Sequence, residues 1–124
     1  MNFIQTSKAP KAIGPYSQAV EIDGMIYTSG QIALNKNGEM LENEIKIQTN
    51  QVLKNLTEVL KEAGGSLQTV IKTTIYLANM DDFAMVNEIY AQYFKNHKPA
   101  RSTVAVKTLP KNALIEIDAI AVRK

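Results

Sequence analysis

The chain has 124 residues, 45% hydrophobic and 21% charged, which suits one buried core and is too short for two ordinary domains; a single domain over residues 1–124 is expected. With no cysteine and one histidine, it cannot build a disulfide framework, a thiol nucleophile, a Cys-ligated metal site or an HExxH zinc arrangement. A formal charge of +2, no membrane-length apolar run and no basic-then-apolar leader point to a cytoplasmic protein without a membrane or nucleic-acid partner.

In chain order, Ser17 to Ile22 and Met25 to Ser29 read as short strands joined by Asp23-Gly24, a strong hairpin signal because Gly accepts the positive φ of a tight primed turn. Gln31 to Leu34 is a third extended piece, closed by a turn at Asn35-Lys36-Asn37-Gly38. From about Glu44 the period becomes helical: Ile45, Val52, Leu56, Val59, Leu60 and Ala63 share a face, and Gly64-Gly65 supplies the left-handed stop. Val70 to Ala78 is rich in β-branched and aromatic residues and reads as a buried strand. A second helix follows, with Asp81 or Asp82 as N-cap, a stripe of Phe83, Val86, Tyr90, Tyr93 and Phe94, and an end at His97-Lys98-Pro99. Ser102 to Val106 and Leu114 to Val122 are the last strands, separated by a turn at Pro110-Lys111-Asn112.

The order hairpin, helix, strand, helix, strand, strand predicts an α+β two-layer domain, a mixed sheet with both helices on one face. In the last strand Ile115, Ile117, Ala119 and Ala121 face one way, while Leu114, Glu116, Asp118, Ile120 and Val122 face the other. The second set mixes aliphatics with carboxylates on a face with no helix left to cover it, so subunits are expected to pack there.

No phosphate-binding glycine loop or GxSxG elbow is present, so any catalysis rests on Arg, Glu, Asp, Tyr, Ser, Thr, backbone groups and water. Arg101 stands where a crossover enters the sheet, and its planar fork suits a carboxylate; a surface arginine at a strand start is the plainer reading. Glu116, mid-strand between two isoleucines, could orient or deprotonate a water, or could lie on a solvated strand face. Asp118 shares its face, but no further ligand accompanies the pair, so no metal is expected. Gly14-Pro15-Tyr16-Ser17 and Thr28-Ser29-Gly30-Gln31 could present hydroxyls and backbone N–H groups to a small anion, or serve as turns. Asn87 shares a helical side with Phe83, Tyr90 and Phe94, and lines a cleft or satisfies a backbone group. The aromatics read as core, and His97 as a partner of the helix C-terminal dipole.

Five spaced segments add a resemblance: Ala12-Ile13-Gly14-Pro15-Tyr16-Ser17-Gln18-Ala19, Tyr27-Thr28-Ser29-Gly30-Gln31-Ile32, Met80 to Asn87, Pro99-Ala100-Arg101-Ser102-Thr103-Val104, and Leu109-Pro110-Lys111 with Ile115 to Ala121. In order and spacing, over nearly the whole chain, they resemble the Rid family of reactive intermediate deaminases, also called the YjgF family. The resemblance implies a bacillus chorismate mutase-like fold and a homotrimer with clefts between adjacent subunits. For the active RidA subgroup it implies hydrolysis of 2-imino acids, the products of pyridoxal-phosphate serine and threonine dehydratases, to 2-oxo acids and ammonia, with no cofactor or metal. By the same resemblance Arg101 clamps the substrate carboxylate and Glu116 holds the attacking water. Tyr16, Ser29 and Asn87 line the cleft, and Gly30 offers backbone contact. Thr103 departs from the cysteine of many members; that position is expected to meet ligand through its backbone. A non-catalytic trimer that binds small carboxylates or regulates a partner is the alternative, and a ribonuclease the third reading.

Overall fold

The computed structural model describes residues 1–124. Its sheet has six strands, β1 (Asn2–Ile4), β2 (Ala19–Ile22), β3 (Met25–Thr28), β4 (Val70–Leu77), β5 (Ala100–Ala105) and β6 (Ile115–Val122), in the spatial order β1-β2-β3-β6-β4-β5. Helices α1 (Ile45–Glu62) and α2 (Phe83–Phe94) pack together on one face, over a core that includes Leu56, Leu60, Ile75, Ile117 and Phe94. The α+β mixed sheet with two helices is as expected from the sequence. No helix is long and apolar enough to cross a membrane.

The hairpin forms where Asp23-Gly24 placed it: both residues have positive φ (51° and 82°), and Ile22 pairs with Met25. Glu21 reinforces the turn by accepting from the Gly24 amide (2.9 Å) and from Asn2 Nδ2 (2.6 Å), bonds that hold its carboxyl below the usual range. Asn2 belongs to β1, an edge strand that the sequence reading missed because its three residues carry no period of their own.

Helix α1 starts at Glu44, whose side chain accepts from the Ile47 amide (2.8 Å). It stops in a Schellman motif at Gly64 (φ 91°): Gly65 N–H donates to Leu60 O (2.8 Å) and Gly64 N–H to Lys61 O (3.1 Å). Helix α2 departs from expectation at both ends. Asp82 stands at its N-cap position with no side-chain bond; the capping oxygen is that of Asn79, which accepts from the Asp81 amide of the preceding 3-10 turn (2.9 Å). The helix ends at Phe94, before His97-Lys98-Pro99, because Lys95 turns to φ 59°. His97 then bonds the Val70 carbonyl through Nε2 (2.6 Å), fastening the helix exit to the start of β4 rather than acting on the helix dipole alone.

β4 and β5 are parallel neighbours joined through α2, whereas β6 inserts between β3 and β4, antiparallel to both. Gln31 to Leu34 contributes only isolated bridges, Gln31 to Ile117 and Leu34 to Met40. Along β6 the odd positions are buried under the helices and the even ones half-buried on the other face. That open face carries Phe3, Val20, Tyr27 and Ile120 in one cross-strand row, and Phe3 is 74% exposed.

Candidate active site

The sequence-predicted residues fall into two groups. The first surrounds Glu116, which projects from the middle of β6 onto the open face, half-buried. Gly30 approaches it so closely that a β-carbon there would overlap the Glu116 carboxylate. The approach is set by backbone: Gln31 N–H donates to Ile117 O (2.9 Å) and Ile117 N–H to Gln31 O (3.1 Å), locking the residue after Gly30 to the residue after Glu116. Burial raises the Glu116 carboxyl above the ordinary glutamate range, and the charge of Asp118 raises it further. Asp118 is itself raised by burial, against the opposing hydrogen bond donated by Tyr76 Oη (3.3 Å).

Glu116 and Gly30 line a cleft of about 310 Å³ that also takes in Tyr16, Lys11 and Lys111. Its outer wall, the segment from Pro10 to Tyr16, is held by a residue that sequence reasoning passed over. Gln18 is 1% exposed; its Oε1 accepts from the Thr6 amide (2.6 Å) and its Nε2 donates to Thr6 O (3.1 Å) and Pro10 O (2.8 Å). A glutamine in an otherwise strand-like run, Gln18-Ala19-Val20, was the available signal, since a buried amide needs partners. Ser29 works alongside: its hydroxyl donates to Ser17 O (2.5 Å) and its amide to Gln18 O (2.9 Å), tying the end of β3 to the entry of β2.

The second group surrounds Arg101 on the helix face of β5. Its Nη1 donates to Asn87 Oδ1 (2.8 Å), and its guanidinium carbon lies 4.9 Å from the Tyr90 ring centroid and 5.4 Å from that of Phe83. Asn87 thus shares a face with Phe83 and Tyr90, as its spacing predicts, and this face holds the arginine. The guanidinium, Asn87 and Tyr90 border a second hollow of about 440 Å³. Thr103, half-buried, follows Arg101 on the same face, opposite Ile75 in the register.

The two groups do not meet within one chain. Arg101 pairs in register with Thr73, whose side chain is buried toward the helices; Glu116 pairs with Tyr76, whose side chain points the other way. The guanidinium and the carboxylate therefore lie on opposite faces of the sheet. One group offers a fixed cation with unused N–H donors, the other a half-buried carboxylate beside backbone that permits close approach.

The family model described as Endoribonuclease L-PSP matches residues 6–123. A RutC family protein of Pyrococcus horikoshii is 52% identical, the match covering 98% of this chain and 97% of that protein. The Homo sapiens 2-iminobutanoate/2-iminopropanoate deaminase is 50% identical over 97% of this chain and 88% of its own length. The structure of E. coli TdcF with bound serine superposes with a TM-score of 0.94 at 41% identity, covering 100% of both chains. With matches of this extent joined to the five motifs, the chain belongs to the Endoribonuclease L-PSP family, which is the Rid or YjgF family.

Proposed function

We propose that this protein is a hydrolase that deaminates reactive 2-imino acids to 2-oxo acids and ammonia. It acts as a homotrimer in which the Arg101 half-site of one subunit faces the Glu116 half-site of the next. A head-to-tail ring is the assembly that lets two different patches of the same chain meet repeatedly and close. The observation that carries the reading is the division itself: a held guanidinium and a half-buried carboxylate, on opposite faces of one sheet. The near-full-length identity to a curated deaminase supports the chemistry.

Arg101 pairs its free N–H donors with the substrate carboxylate, which fixes the adjacent imine carbon. Glu116 takes a proton from a water as the water oxygen bonds to that carbon, and the electron pair of the C=N bond moves to nitrogen. Glu116 then returns the proton to the amine. As the C–N bond breaks, the electron pair of the carbinol oxygen closes the C=O bond, the hydroxyl proton passes to Glu116 and on to solvent, and ammonia leaves behind a 2-oxo acid. A protonated imine is already electrophilic, so placement of water and substrate supplies most of the rate. Tyr16, Gly30 and Ser29 shape the side of the water, Asn87 and Thr103 the side of the carboxylate. The subgroup substrates, derived from serine and threonine, are the first to try. His97 is engaged with the Val70 carbonyl, which disfavours it as the acid–base group of a ribonuclease. The bound serine of the related TdcF favours, as the second reading, a trimer that binds small amino or oxo acids without turnover.

The test generates 2-aminoacrylate in situ with a serine dehydratase and follows pyruvate release. Arg101→Ala and Glu116→Gln are each expected to keep about a hundredth of the unmodified activity or less. After subunit exchange, an equal mixture should regain roughly a quarter of the unmodified activity, because random mixing assembles that share of intact sites. No acceleration by the unmodified trimer supports the second reading, and no recovery on mixing overturns the shared site.

A further inference from the structure

Arg101 is an exposed residue on an edge strand, the setting in which an arginine usually samples many rotamers. Here three contacts from one face of α2 hold it: the Asn87 oxygen at 2.8 Å and the rings of Phe83 and Tyr90 at 5.4 and 4.9 Å. Phe83 and Asn87 are four residues apart, and Asn87 and Tyr90 three, so a single helical stripe supplies all of them. Tyr90 is in turn fixed on two sides. Its ring stacks on Phe94 with centroids 4.3 Å apart, and its hydroxyl shares a buried hydrogen bond of 2.7 Å with Thr73 Oγ1. Thr73 is 0% exposed and is the register partner of Arg101 across β4 and β5. The path closes on itself, from the Arg101 backbone to Thr73, through the Tyr90 ring, and back to the Arg101 guanidinium.

We infer that Tyr90, locked by Thr73, is a positioning residue that sets the height and plane of the Arg101 guanidinium for a ligand carboxylate. The inference rests on Arg101 being the carboxylate clamp. A bidentate pair needs the guanidinium plane aligned with the carboxylate, and a free side chain would lose that alignment. The Tyr90 ring carries the guanidinium carbon over its face at 4.9 Å, while Asn87 occupies only one of the donors. The Thr73 bond prevents the ring from sliding along the sheet. Tyr90, a plain core aromatic by its position in the apolar stripe, thus has a second role that its spacing from Asn87 encodes.

The experiment measures imine-turnover KM and kcat, and the Kd of the pyruvate product, for Tyr90→Leu, Tyr90→Phe, Thr73→Val and Arg101→Ala, with trimer content and thermal midpoint recorded for each. Tyr90→Leu should raise KM and pyruvate Kd about tenfold, with kcat changed by less than about twofold. Tyr90→Phe and Thr73→Val keep the ring and lose only its anchor, so both should raise KM by about two- to fourfold. Normal KM and Kd in all folded variants at position 90 and in Thr73→Val, while Arg101→Ala loses pyruvate, would overturn the positioning role alone. Wild-type pyruvate affinity in Arg101→Ala would instead remove the clamp on which the inference stands. Should Tyr90→Leu not assemble, Tyr90→Phe and Thr73→Val decide the matter by the same criterion.

Discussion

Glu116 places its carboxylate in the space that a β-carbon on residue 30 would require. The backbone cannot yield there, because the Gln31–Ile117 bridge pins it to β6 by two hydrogen bonds. The atoms in conflict belong to the mobile end of a glutamate, so Gly30→Ala is accommodated by a turned Glu116 side chain. The expected outcome is a folded protein of near-normal thermal midpoint and unchanged assembly with kcat lowered about a hundredfold, the cost of displacing a reacting group by an ångström or so. Circular dichroism and sedimentation beside the pyruvate assay check it; a fully active Gly30→Ala would show that the close approach does not serve catalysis.

Arg101→Ala separates function from stability in a different way. The residue is exposed and its bonds are confined to the α2 surface, so its loss should shift the thermal midpoint little. Turnover should fall by about a hundredfold or more in kcat/KM, as expected for loss of a bidentate carboxylate contact. Arg101→Lys should recover only a minor part, because an ammonium supplies the charge without the planar fork. Steady-state kinetics on the three proteins test this, and near-normal rates in Arg101→Ala would refute the clamp.

Much of this was legible in the sequence, for identifiable reasons. Asp23-Gly24 and Gly64-Gly65 marked their turns because few other residues tolerate those φ values. The strict alternation along β6 separated Ile117 from Glu116 before any coordinates, since a period of two leaves no choice of face. β1 was hidden because its three residues become a strand only by pairing with β2, a partner about seventeen residues away. The opposite-face placement of Arg101 and Glu116 was hidden too. Each residue's face could be read locally, but their relation depends on the β4–β5 and β4–β6 registers. Gln18, a lone amide in a strand-like run, and Tyr90, one aromatic of an apolar stripe, were signals without named partners, and only their hydrogen bonds to Thr6, Pro10 and Thr73 disclose what they organise.

Glu116→Gln should make the protein slower and more stable together. Burial, then Asp118, raises the folded-state pKa of Glu116 above its unfolded value. The stabilisation linked to such a group is full below the unfolded value and is lost as pH rises through the folded one, so at neutral pH the ionised carboxylate is a net cost. An uncharged amide avoids that cost while losing the ability to accept the water proton. The thermal midpoint at pH 7 should rise by roughly 1–4 °C, and kcat should fall about 10²- to 10⁴-fold with little change in KM. At a pH well below the glutamate range the gain in midpoint should disappear. A lower midpoint at pH 7 would contradict a desolvated carboxylate at this position.

Asp118 tests the same electrostatics from the neighbouring position. Glu116 must be ionised to receive a proton, so kcat should decline on acidification through its raised pKa, at a higher pH than an ordinary carboxylate would give. Asp118→Asn removes the second cause of that elevation while its side-chain oxygen can still accept from Tyr76. The acidic limb should therefore move to lower pH, with the plateau at neutral pH largely kept. Repulsion from Asp118 should spread the limb of the unmodified protein over a wider pH range than a single titration, and the substitution should restore a simple one. A pH profile of kcat for both proteins, taken with substrate saturating, reads the shift directly; an unmoved limb would assign it to a group other than Glu116 or leave Asp118 without influence on it.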